Sequence, residues 1–309
     1  MRKIRIDFCD FWEDFCKTDN FFWNLLKTRF DVELHGKPDF LFYSNREQHV
    51  HRVHNCVKIF FAVESYLPNW RECDYAMTYH YLEDPRHLRL PFYLLYGTAD
   101  HLLNNGEDIE RLFASKTKFC SFIVSNPGKR EGRKRVEFFH SLSRYKRVDS
   151  GGKVLNNIGG PIAGGPEGKL AFLRPYKFNI AFENAAISGY TTEKIVEAMR
   201  ARTVPIFWGN PRINEEFNSS SFLNYSDFPS ADALIERIIE LDRNDEKYME
   251  ILRQPYFPGN QATNWYDPER FLSFCERIFS EPITPVSRRR KFFQIGRWVL
   301  VKQNRPHSN

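Results

Sequence analysis

The sequence predicts an α/β protein with parallel sheets, organised in two domains. Residues 176–211 carry the clearest evidence, because they contain a strand, a polar loop, a helix and a second strand in succession. The first strand, 177–182, is rich in aromatic and β-branched residues, and the helix follows the N-cap candidates Thr191 and Thr192. Strand–helix alternation restarts past the middle of the 309-residue chain. A chain of this length is long enough for two domains of ordinary size.

The first domain is predicted to span residues 1–114, with a helix over 11–30 and strands at Ile4–Phe8, Asp39–Tyr43, Val57–Ala62 and Asp74–Tyr79. The segment VKIFFA at 57–62 is apolar enough for a parallel strand that is buried on both faces. The second domain is predicted to span 115–281, with a strand at 118–125 and helices over 133–143, 231–242 and 268–279. Residues 282–309 form a separate basic and aromatic tail.

The loop-to-helix junction at residues 190–194 holds the first candidate site. Free backbone N–H groups and the helix dipole favour an anion there, and Lys194 adds a positive charge that suits a phosphate. A phosphate would repel Glu193, so this carboxylate suits hydrogen bonds from sugar hydroxyls. Together with Tyr190, the pair fits a nucleotide, which carries both ribose and phosphate. A capped helix with a solvated Glu–Lys pair explains the same residues equally well.

Two further residues lie where α/β proteins bind ligands. Glu64 follows the carboxyl end of the strand at 57–62, and ligands bind at that edge of open sheets. It is a candidate general base, or else an ordinary solvated loop glutamate. Arg135 lies on the first turn of the helix at 133–143, where it can point at a phosphate. Its alternative is a solvated arginine within a basic run.

Two other segments carry no known fingerprint. His80 and His87 lack a third ligand at consistent spacing, so we expect surface or ligand-facing histidines and no metal site. Residues 148–168 hold seven glycines but neither GxGxxG nor Walker A spacing. This composition predicts a flexible loop that orders over a ligand.

Charge and cysteine usage exclude several classes of protein. The net charge is +6, but seven basic residues and no acidic one lie in 282–309, which leaves 38 basic against 39 acidic residues in the body. A near-neutral body argues against a nucleic-acid-binding protein. The six cysteines show no CxxC or metal-ligand spacing and predict reduced thiols of an intracellular protein. No apolar run is long enough for a membrane span.

The tail from 288 to 301 joins basic residues to aromatic and aliphatic ones. Its apolar residues spread over more than one face of a helical wheel. Adsorption to an anionic membrane surface is the interpretation that best fits this composition. A disordered basic end that binds nucleic acid or nothing is the alternative.

An ordered set of motifs resembles a known family. The spacing FEN-(x5)-Y-x-TEK runs from Phe182 to Lys194, flanked by YKFNIAFEN before it and VPIFWGNP after it. IVSNP, RxxFF and VDSGGK precede it, and in the first domain Glu64 lies ahead of P-N-W and D-Y-A sequences. This set resembles the α1,3/4-fucosyltransferase family, glycosyltransferase family 10. The commoner family form has glycine and asparagine where this chain has Val63 and Ser65.

The resemblance implies a GT-B fold, in which two Rossmann-like domains face each other across a cleft. The first domain would bind the acceptor and the second GDP-fucose. By this resemblance Glu64 deprotonates the acceptor hydroxyl and Glu193 contacts the ribose. Arg135 and Lys194 contact the phosphates and the leaving group, and Asn184 and Tyr190 complete the donor site.

The implied reaction is a single inverting displacement from GDP-β-L-fucose to a GlcNAc hydroxyl, foremost O3, of an N-acetyllactosamine-type glycan. Lewis-antigen or lipopolysaccharide synthesis is the implied setting. No cofactor is implied, and a divalent metal is at most stimulatory. The absence of an anchor and of lumenal disulfides suggests a bacterial cytoplasmic enzyme, held by its tail at the inner face of the cytoplasmic membrane. Transfer from another nucleotide sugar, or non-catalytic glycan or membrane-surface binding, are the alternatives; no nucleic-acid partner is expected.

Overall fold

The computed structural model describes residues 3–46, 48–126, 133–162, 165–282 and 284–286. They form two compact units, one of residues up to 90 with those from 267 onward, the other of residues 91–266. Within the described residues the helices are α1 (Phe21–Arg29), α2 (Ile109–Ala114), α3 (Arg133–Ser143), α4 (Gly165–Leu173), α5 (Glu193–Arg200), α6 (Ala231–Arg243), α7 (Asp245–Leu252) and α8 (Pro268–Ser280).

The first unit is built on the strands β1 (Lys3–Cys9), β2 (Asp31–Leu34), β3 (Phe40–Tyr43), β4 (Val57–Ala62), β5 (Tyr75–Thr78) and β6 (His87–Arg89). They pair in parallel in the order β2-β1-β3-β4-β5-β6, so their carboxyl ends share one edge. Every residue of β4 is buried, as predicted for an inner parallel strand covered on both faces.

Helix α1 begins later than the sequence predicts. Asn20 has an extended backbone, and its side chain accepts the Trp23 N–H at 2.9 Å, so that α1 is capped at this point. The residues before it form turns, although they are rich in aromatics. Phe11 and Phe15 stack at 4.1 Å instead of lying on a helix face. Apolar spacing in this stretch therefore reflects packing of an irregular segment.

The division of the chain differs from the predicted boundaries at 114 and 281. Residues 91–114 lie with the second unit, where Arg200 Nη1 donates to the Tyr96 carbonyl at 2.9 Å and Arg202 pairs with Glu107 at 2.5 Å. At the other end, α8 packs against the first unit through aromatic contacts. Phe271 lies 5.5 Å from Phe21, which explains why the chain returns to this unit at residue 267.

The second unit is built on the strands β7 (Lys118–Phe122), β8 (Val148–Ser150), β9 (Tyr176–Phe182), β10 (Val204–Trp208) and β11 (Leu223–Asn224). They are all parallel and ordered β11-β10-β9-β7-β8. The predicted βαβ unit is therefore β9-α5-β10, with β9 at the centre of the sheet. Its residue Phe182 packs on Phe138 of α3 at 4.9 Å, which fixes that helix over the sheet.

All six cysteines are free thiols. Across the described residues, we find no helix with the length and apolarity that membrane crossing requires. The predicted tail lies outside the described residues from 287 onward. Its last described residue, Val286, donates its N–H to Asp74 Oδ1 at 2.8 Å.

Candidate active site

The carboxyl edge of the second sheet gathers the five residues predicted for the donor site. Strand β9 ends at Phe182 and leads directly into Asn184; α3 places Arg135 on its first turn, and α5 does the same for Glu193 and Lys194. Because β7, β9 and β10 run parallel, all these junctions lie at one edge of the sheet. The structure thus places the five predicted donor-site residues at the sheet edge where their positions in the sequence predict them to lie.

Arg135 is a buried cation aimed at this edge. Only 2% of the residue is exposed. Its Nη1 donates to Asn184 Oδ1 at 2.7 Å, and its Nη2 donates to the Asn126 carbonyl at the end of the β7 segment. Burial lowers the pKa of the guanidinium, with the carboxylate of Glu183 acting in the opposite sense. Arginine stays charged in proteins, so the site contains a fixed positive charge.

The Arg135 Nε atom is buried and has no hydrogen-bond partner among the described residues. Leaving a buried donor of a charged group unsatisfied costs about 1–3 kcal/mol or more. Such a donor next to a sheet edge suits an anionic ligand that brings its own acceptors. The sequence alternative, a solvated arginine in a basic run, is wrong for this residue.

Asn184 and Tyr190 lie together beside that cation. Asn184 Nδ2 donates to the Tyr190 hydroxyl at 3.4 Å, while the Asn184 carbonyl is occupied by Arg135. Tyr190 is 3% exposed. The loop that carries it is fixed by Asn210, whose Oδ1 accepts the Gly189 N–H at 2.8 Å. An ordered polar network thus lines the edge above β9.

The Lys194 ammonium is the second cation, and it is embedded between two carboxylates. It donates to Glu183 Oε2 at 3.1 Å, to Thr192 Oγ1 at 2.8 Å and to Glu193 Oε1 at 3.4 Å. Its side chain is 20% exposed and that of Glu193 is 16% exposed. The solvated Glu–Lys pair considered from the sequence is therefore wrong, because both side chains are largely buried.

The charges of this cluster are tuned by one another. Burial lowers the pKa of an ammonium, but the carboxylates of Glu183 and Glu193 outweigh it and hold the pKa of Lys194 above its usual value. Burial raises the pKa of a carboxyl. For Glu193 the positive charges of Lys194 and, to a smaller extent, Lys169 outweigh burial, so the pKa of Glu193 lies below its usual value. Both groups are therefore charged at neutral pH.

Glu183, the middle residue of the Phe-Glu-Asn motif, has a structural role that the sequence does not predict. It is fully buried. Its Oε1 accepts the Thr192 N–H at 2.7 Å, and the Thr192 hydroxyl lies 2.8 Å from Oε2. A Cβ on Gly209 would come within 2.6 Å of the Glu183 Cγ, so glycine is needed there to seat this carboxylate. The Phe-Glu-Asn run at a strand end marks only its position in the sequence.

Lys134 adds a third positive charge near the same edge. Its ammonium lies 4.4 Å from the ring centroid of Tyr225 and 4.9 Å from that of Trp208, at the end of β10. Cation–π contacts of this kind hold a lysine in place without neutralising it. In the sequence, Lys134 is one residue of the basic run that includes Arg135, and nothing local distinguishes it.

The glycine-rich segment is more ordered in its described part than its composition predicts. It begins with β8, and Ser150 N donates to Asn157 Oδ1 at 2.8 Å. Asn156 Nδ2 donates to the Gly152 carbonyl at 2.8 Å. A Cβ on Gly152 would lie 2.1 Å from the Val124 carbonyl oxygen, so only glycine allows this close approach to the β7 segment. Residues 163–164 lie outside the described residues.

Glu64 lies in the first unit, at the carboxyl edge of its sheet, as predicted. It is exposed, just beyond the end of β4, and lines a cleft of about 640 Å³ together with Trp12 and Tyr66. Tyr79, at the end of β5, lies near enough for the Glu64 charge to raise its pKa, after the larger effect of burial. An accessible carboxylate in a cleft has the position that a general base requires.

His80 and His87 are partly exposed and flank a buried hydroxyl. Thr78 Oγ1 is 3.0 Å from His80 Nδ1 and 2.9 Å from His87 Nε2. Burial lowers the pKa of both imidazoles, that of His87 to about 4. No group of three or more metal-binding side chains is found among the residues that the structure describes.

The carboxyl edge of the second unit's sheet suits a ligand with several anionic oxygens and several hydroxyls. Arg135 and Lys194 provide positive charge, the start of α5 adds its dipole, and Glu193 offers an acceptor for hydroxyl groups. Two separate parallel α/β sheets with such an edge are the architecture of GT-B glycosyltransferases.

Comparisons with known proteins also identify the chain as a glycosyltransferase. Residues 113–284 match the family model described as "Glycosyltransferase family 10 (fucosyltransferase) C-term", and residues 6–96 match "Alpha-(1,3)-fucosyltransferase FucT N-terminal domain". The chain therefore belongs to glycosyltransferase family 10, and the resemblance inferred from its motifs is confirmed.

The relatives and solved structures span this chain to different extents. The α-(1,3)-fucosyltransferase FucT of Helicobacter pylori is 29% identical over 268 residues, which are 74% of this chain and 54% of that protein. Human α-(1,3)-fucosyltransferase 4 is 36% identical over 53% of this chain and 30% of its own length. The chain thus spans about half, or less, of these relatives.

A crystal structure of an α1,3-fucosyltransferase superposes with a TM-score of 0.77 at 25% identity, covering 92% of both chains. A crystal structure of an α1,3-fucosyltransferase with GDP-fucose gives a TM-score of 0.72 at 27% identity, over 91% of this chain and 92% of that one. The predicted GT-B class of fold is confirmed by these matches.

Proposed function

We propose that this protein is an inverting α1,3-fucosyltransferase that moves L-fucose from GDP-β-L-fucose to a GlcNAc hydroxyl of an N-acetyllactosamine-type glycan. The observation that carries the proposal is the presence of buried Arg135 and the partly buried Lys194–Glu193 pair at one sheet edge, in a chain of this family. The neighbour crystallised with GDP-fucose gives further support. O3 is the proposed acceptor atom.

In the proposed reaction Glu64 removes the proton from the acceptor hydroxyl as its oxygen attacks the anomeric carbon. The bond from that carbon to the β-phosphate breaks, and the electron pair leaves with GDP. Arg135 and Lys194 stabilise the negative charge that grows on the leaving phosphate, and Glu193 binds the ribose hydroxyls. Asn184 accepts a hydrogen bond from Arg135 and donates one to Tyr190, and these two residues complete the donor site. We propose that no cofactor or tightly bound metal is required, with a divalent cation at most stimulatory.

The test is transfer in solution. The full chain is incubated with GDP-, UDP- and ADP-sugars and a panel of type 1 and type 2 acceptors, and products are read by mass spectrometry and NMR. We expect an α-L-fucoside from GDP-fucose alone, on O3 of the GlcNAc of type 2 acceptors. Turnover of another nucleotide sugar would show that GDP-fucose is not the donor. If no donor is transferred or hydrolysed, the result would favour a non-catalytic glycan-binding protein.

We also propose that the tail of residues 282–309 holds the enzyme at the inner face of a bacterial cytoplasmic membrane, where a lipopolysaccharide or lipid-linked precursor would present the acceptor, as in Lewis-antigen synthesis. Support comes from the composition of the tail, which joins basic to aromatic residues. A chain ending at Val286, which keeps the Asp74 contact, should lose binding to phosphatidylglycerol-containing vesicles and retain transfer in solution. Equal vesicle binding by both chains would contradict this.

A further inference from the structure

The Gly-Asn-Pro run that follows β10 has no part in the proposed reaction, although it lies at the carboxyl edge of the second unit's sheet. Its asparagine, Asn210, is only 1% exposed. Burying an amide costs free energy unless its donors and acceptors find partners. The partners of Asn210 therefore show which part of the fold this residue stabilises.

The Asn210 side chain joins the end of β10 to the loop in front of α5. Its Oδ1 accepts the Gly189 N–H at 2.8 Å, and its Nδ2 donates to Thr191 Oγ1 at 3.1 Å. Gly189 has a φ of +85°, a conformation that glycine adopts readily and other residues do not. The two hydrogen bonds fix the chain on both sides of Tyr190, so the position of that ring depends on Asn210.

Glu216 determines which way the Asn210 amide faces. The Asn210 Nδ2 group also donates to Glu216 Oε1 at 3.0 Å, and Glu216 is fully buried. A carboxylate accepts hydrogen bonds and donates none, so it keeps the amide nitrogen on its own side and leaves the oxygen towards Gly189. Glu216 is held in a short turn, in which its N–H donates to the Ile213 carbonyl at 2.9 Å. The Asn210–Glu216 pair is therefore an oriented unit.

The loop that this pair holds leads directly into the first turn of α5. Thr191 and Thr192 are both buried. The Thr192 N–H donates to Glu183 Oε1 at 2.7 Å, and the Lys194 ammonium donates to Thr192 Oγ1 at 2.8 Å. Asn210 thus holds the loop at Thr191, one residue before the threonine that contacts Lys194. A shift of the loop would displace both Tyr190 and the Lys194 charge.

We propose that Asn210 is a positioning residue: paired with Glu216, it holds the segment 189–192 so that Tyr190 and Lys194 meet the diphosphate of the nucleotide in a fixed geometry. The inference rests on the proposed function, since it explains how the donor loop of that reaction is ordered before the nucleotide binds. A loop that is ordered beforehand loses little conformational entropy on binding, which raises the affinity. Asn210 acts through the loop and needs no contact with the nucleotide.

The first test replaces the amide of the pair by an acid. Asn210→Asp keeps the shape of the side chain and its Oδ1 acceptor, but it places a second carboxyl group beside Glu216. Other charged or titratable groups near the pair include Glu183, Tyr266 and Arg200, which all variants retain. From about pH 5.5 to about pH 8 the added carboxyl ionises, and GDP affinity by calorimetry should fall roughly 3- to 10-fold relative to the unmodified chain.

The second test exchanges the acid and the amide. In the double variant Asn210→Asp, Glu216→Gln the donor and the acceptor of the pair are reversed, so GDP affinity should return to within about 3-fold of the unmodified chain at both pH values. The burial-matched control is Asn179→Asp. Asn179 is 5% exposed in β9 and donates to Ser121 Oγ at 3.0 Å. This control should lower the free energy of unfolding without a pH-dependent loss of GDP affinity.

Amide hydrogen exchange separates failure of this inference from failure of the proposed function, because it needs no nucleotide. At about pH 8 the segment 187–192 should exchange faster in Asn210→Asp than in the unmodified chain and in Asn179→Asp. The double variant should restore its protection.

The outcomes are distinct. If the unmodified chain binds GDP and Asn210→Asp binds it equally well at both pH values, the positioning role is overturned while the proposed function stands. A double variant that binds GDP as weakly as Asn210→Asp overturns the pairing with Glu216. If the unmodified chain binds no GDP, the proposed function fails and exchange decides: faster exchange in Asn210→Asp supports the positioning of the loop, and equal exchange overturns it.

Discussion

The Glu183 carboxylate accepts a hydrogen bond from the Lys194 ammonium at 3.1 Å, and the two side chains form an ion pair between the end of β9 and the start of α5. Glu183 is fully buried, while the Lys194 side chain is 20% exposed. The pair holds a positive charge at the place where a leaving phosphate is proposed to develop negative charge. Removing Lys194 would leave two largely buried carboxylates without their shared partner, whereas removing Glu183 would leave Lys194 paired with Glu193 alone.

A double-mutant cycle tests this pair. Glu183→Gln keeps the shape of the side chain but loses the charge, so we expect it to lower the free energy of unfolding by about 2–3 kcal/mol. With Lys194→Met as the second change, the coupling energy should be about 2 kcal/mol. Urea unfolding of the four proteins provides the measurement. Additive effects would mean that the two groups do not stabilise each other.

Lys194→Ala should weaken GDP binding about 10- to 100-fold, because a charge-assisted hydrogen bond to a phosphate contributes about 1.5–3 kcal/mol. Isothermal titration calorimetry with GDP gives the affinity directly. Lys247→Ala is the control, since this lysine lies on α7 and pairs with Glu240. An affinity of the Lys194 variant equal to that of the control would refute the phosphate contact.

The sequence predicted those elements whose signal is local. The strands at 57–62 and 204–208 and the helix at 133–143 were placed correctly, because apolar runs and helical periodicity identify them. The strands β6 and β8, of three residues each, were missed. They contain histidine, arginine or aspartate, and the backbone of a neighbouring strand holds them in the sheet, which no local pattern reveals.

The candidate site was predictable to a similar degree. Arg135 and Lys194 follow from their positions on first helical turns, which the sequence places at a sheet edge. The role of Glu183 cannot be predicted from its position in the sequence, because its burial depends on Thr192, on Lys194 and on the absence of a side chain at Gly209. Such non-local contacts decide whether a carboxylate is solvated or structural.

Glu64→Gln should lower the rate of fucosyl transfer about 10²- to 10⁴-fold, since an amide cannot take the proton of the acceptor hydroxyl. GDP affinity should stay the same, because Glu64 lies in the first unit and the proposed donor residues lie in the second. Steady-state kinetics and calorimetry measure the two quantities. Glu83→Gln, at an exposed position that is not among the described cleft residues, is the control. Normal turnover by the Glu64 variant would remove it as the base.

The burial of His87 makes folding stability depend on pH. Burial lowers the pKa of His87 from 6.5 to about 4, with the His80 and Arg89 charges acting in the same sense and Asp84 opposing them. Between these two pKa values the unfolded chain binds a proton that the folded chain does not. Stability from this residue is therefore constant above about pH 6.5 and falls as the pH drops towards 4.

We expect His87→Gln, which keeps a hydrogen-bonding group near Thr78, to reduce this dependence. Between pH 7 and pH 4.5 the unmodified chain should lose about 2 kcal/mol more unfolding free energy than the variant, after allowance for partial solvent access. Urea unfolding at both pH values measures the difference. His140→Gln, at an exposed position on α3, should lose as much as the unmodified chain. Equal losses in all three proteins would show that His87 titrates alike in the folded and unfolded states.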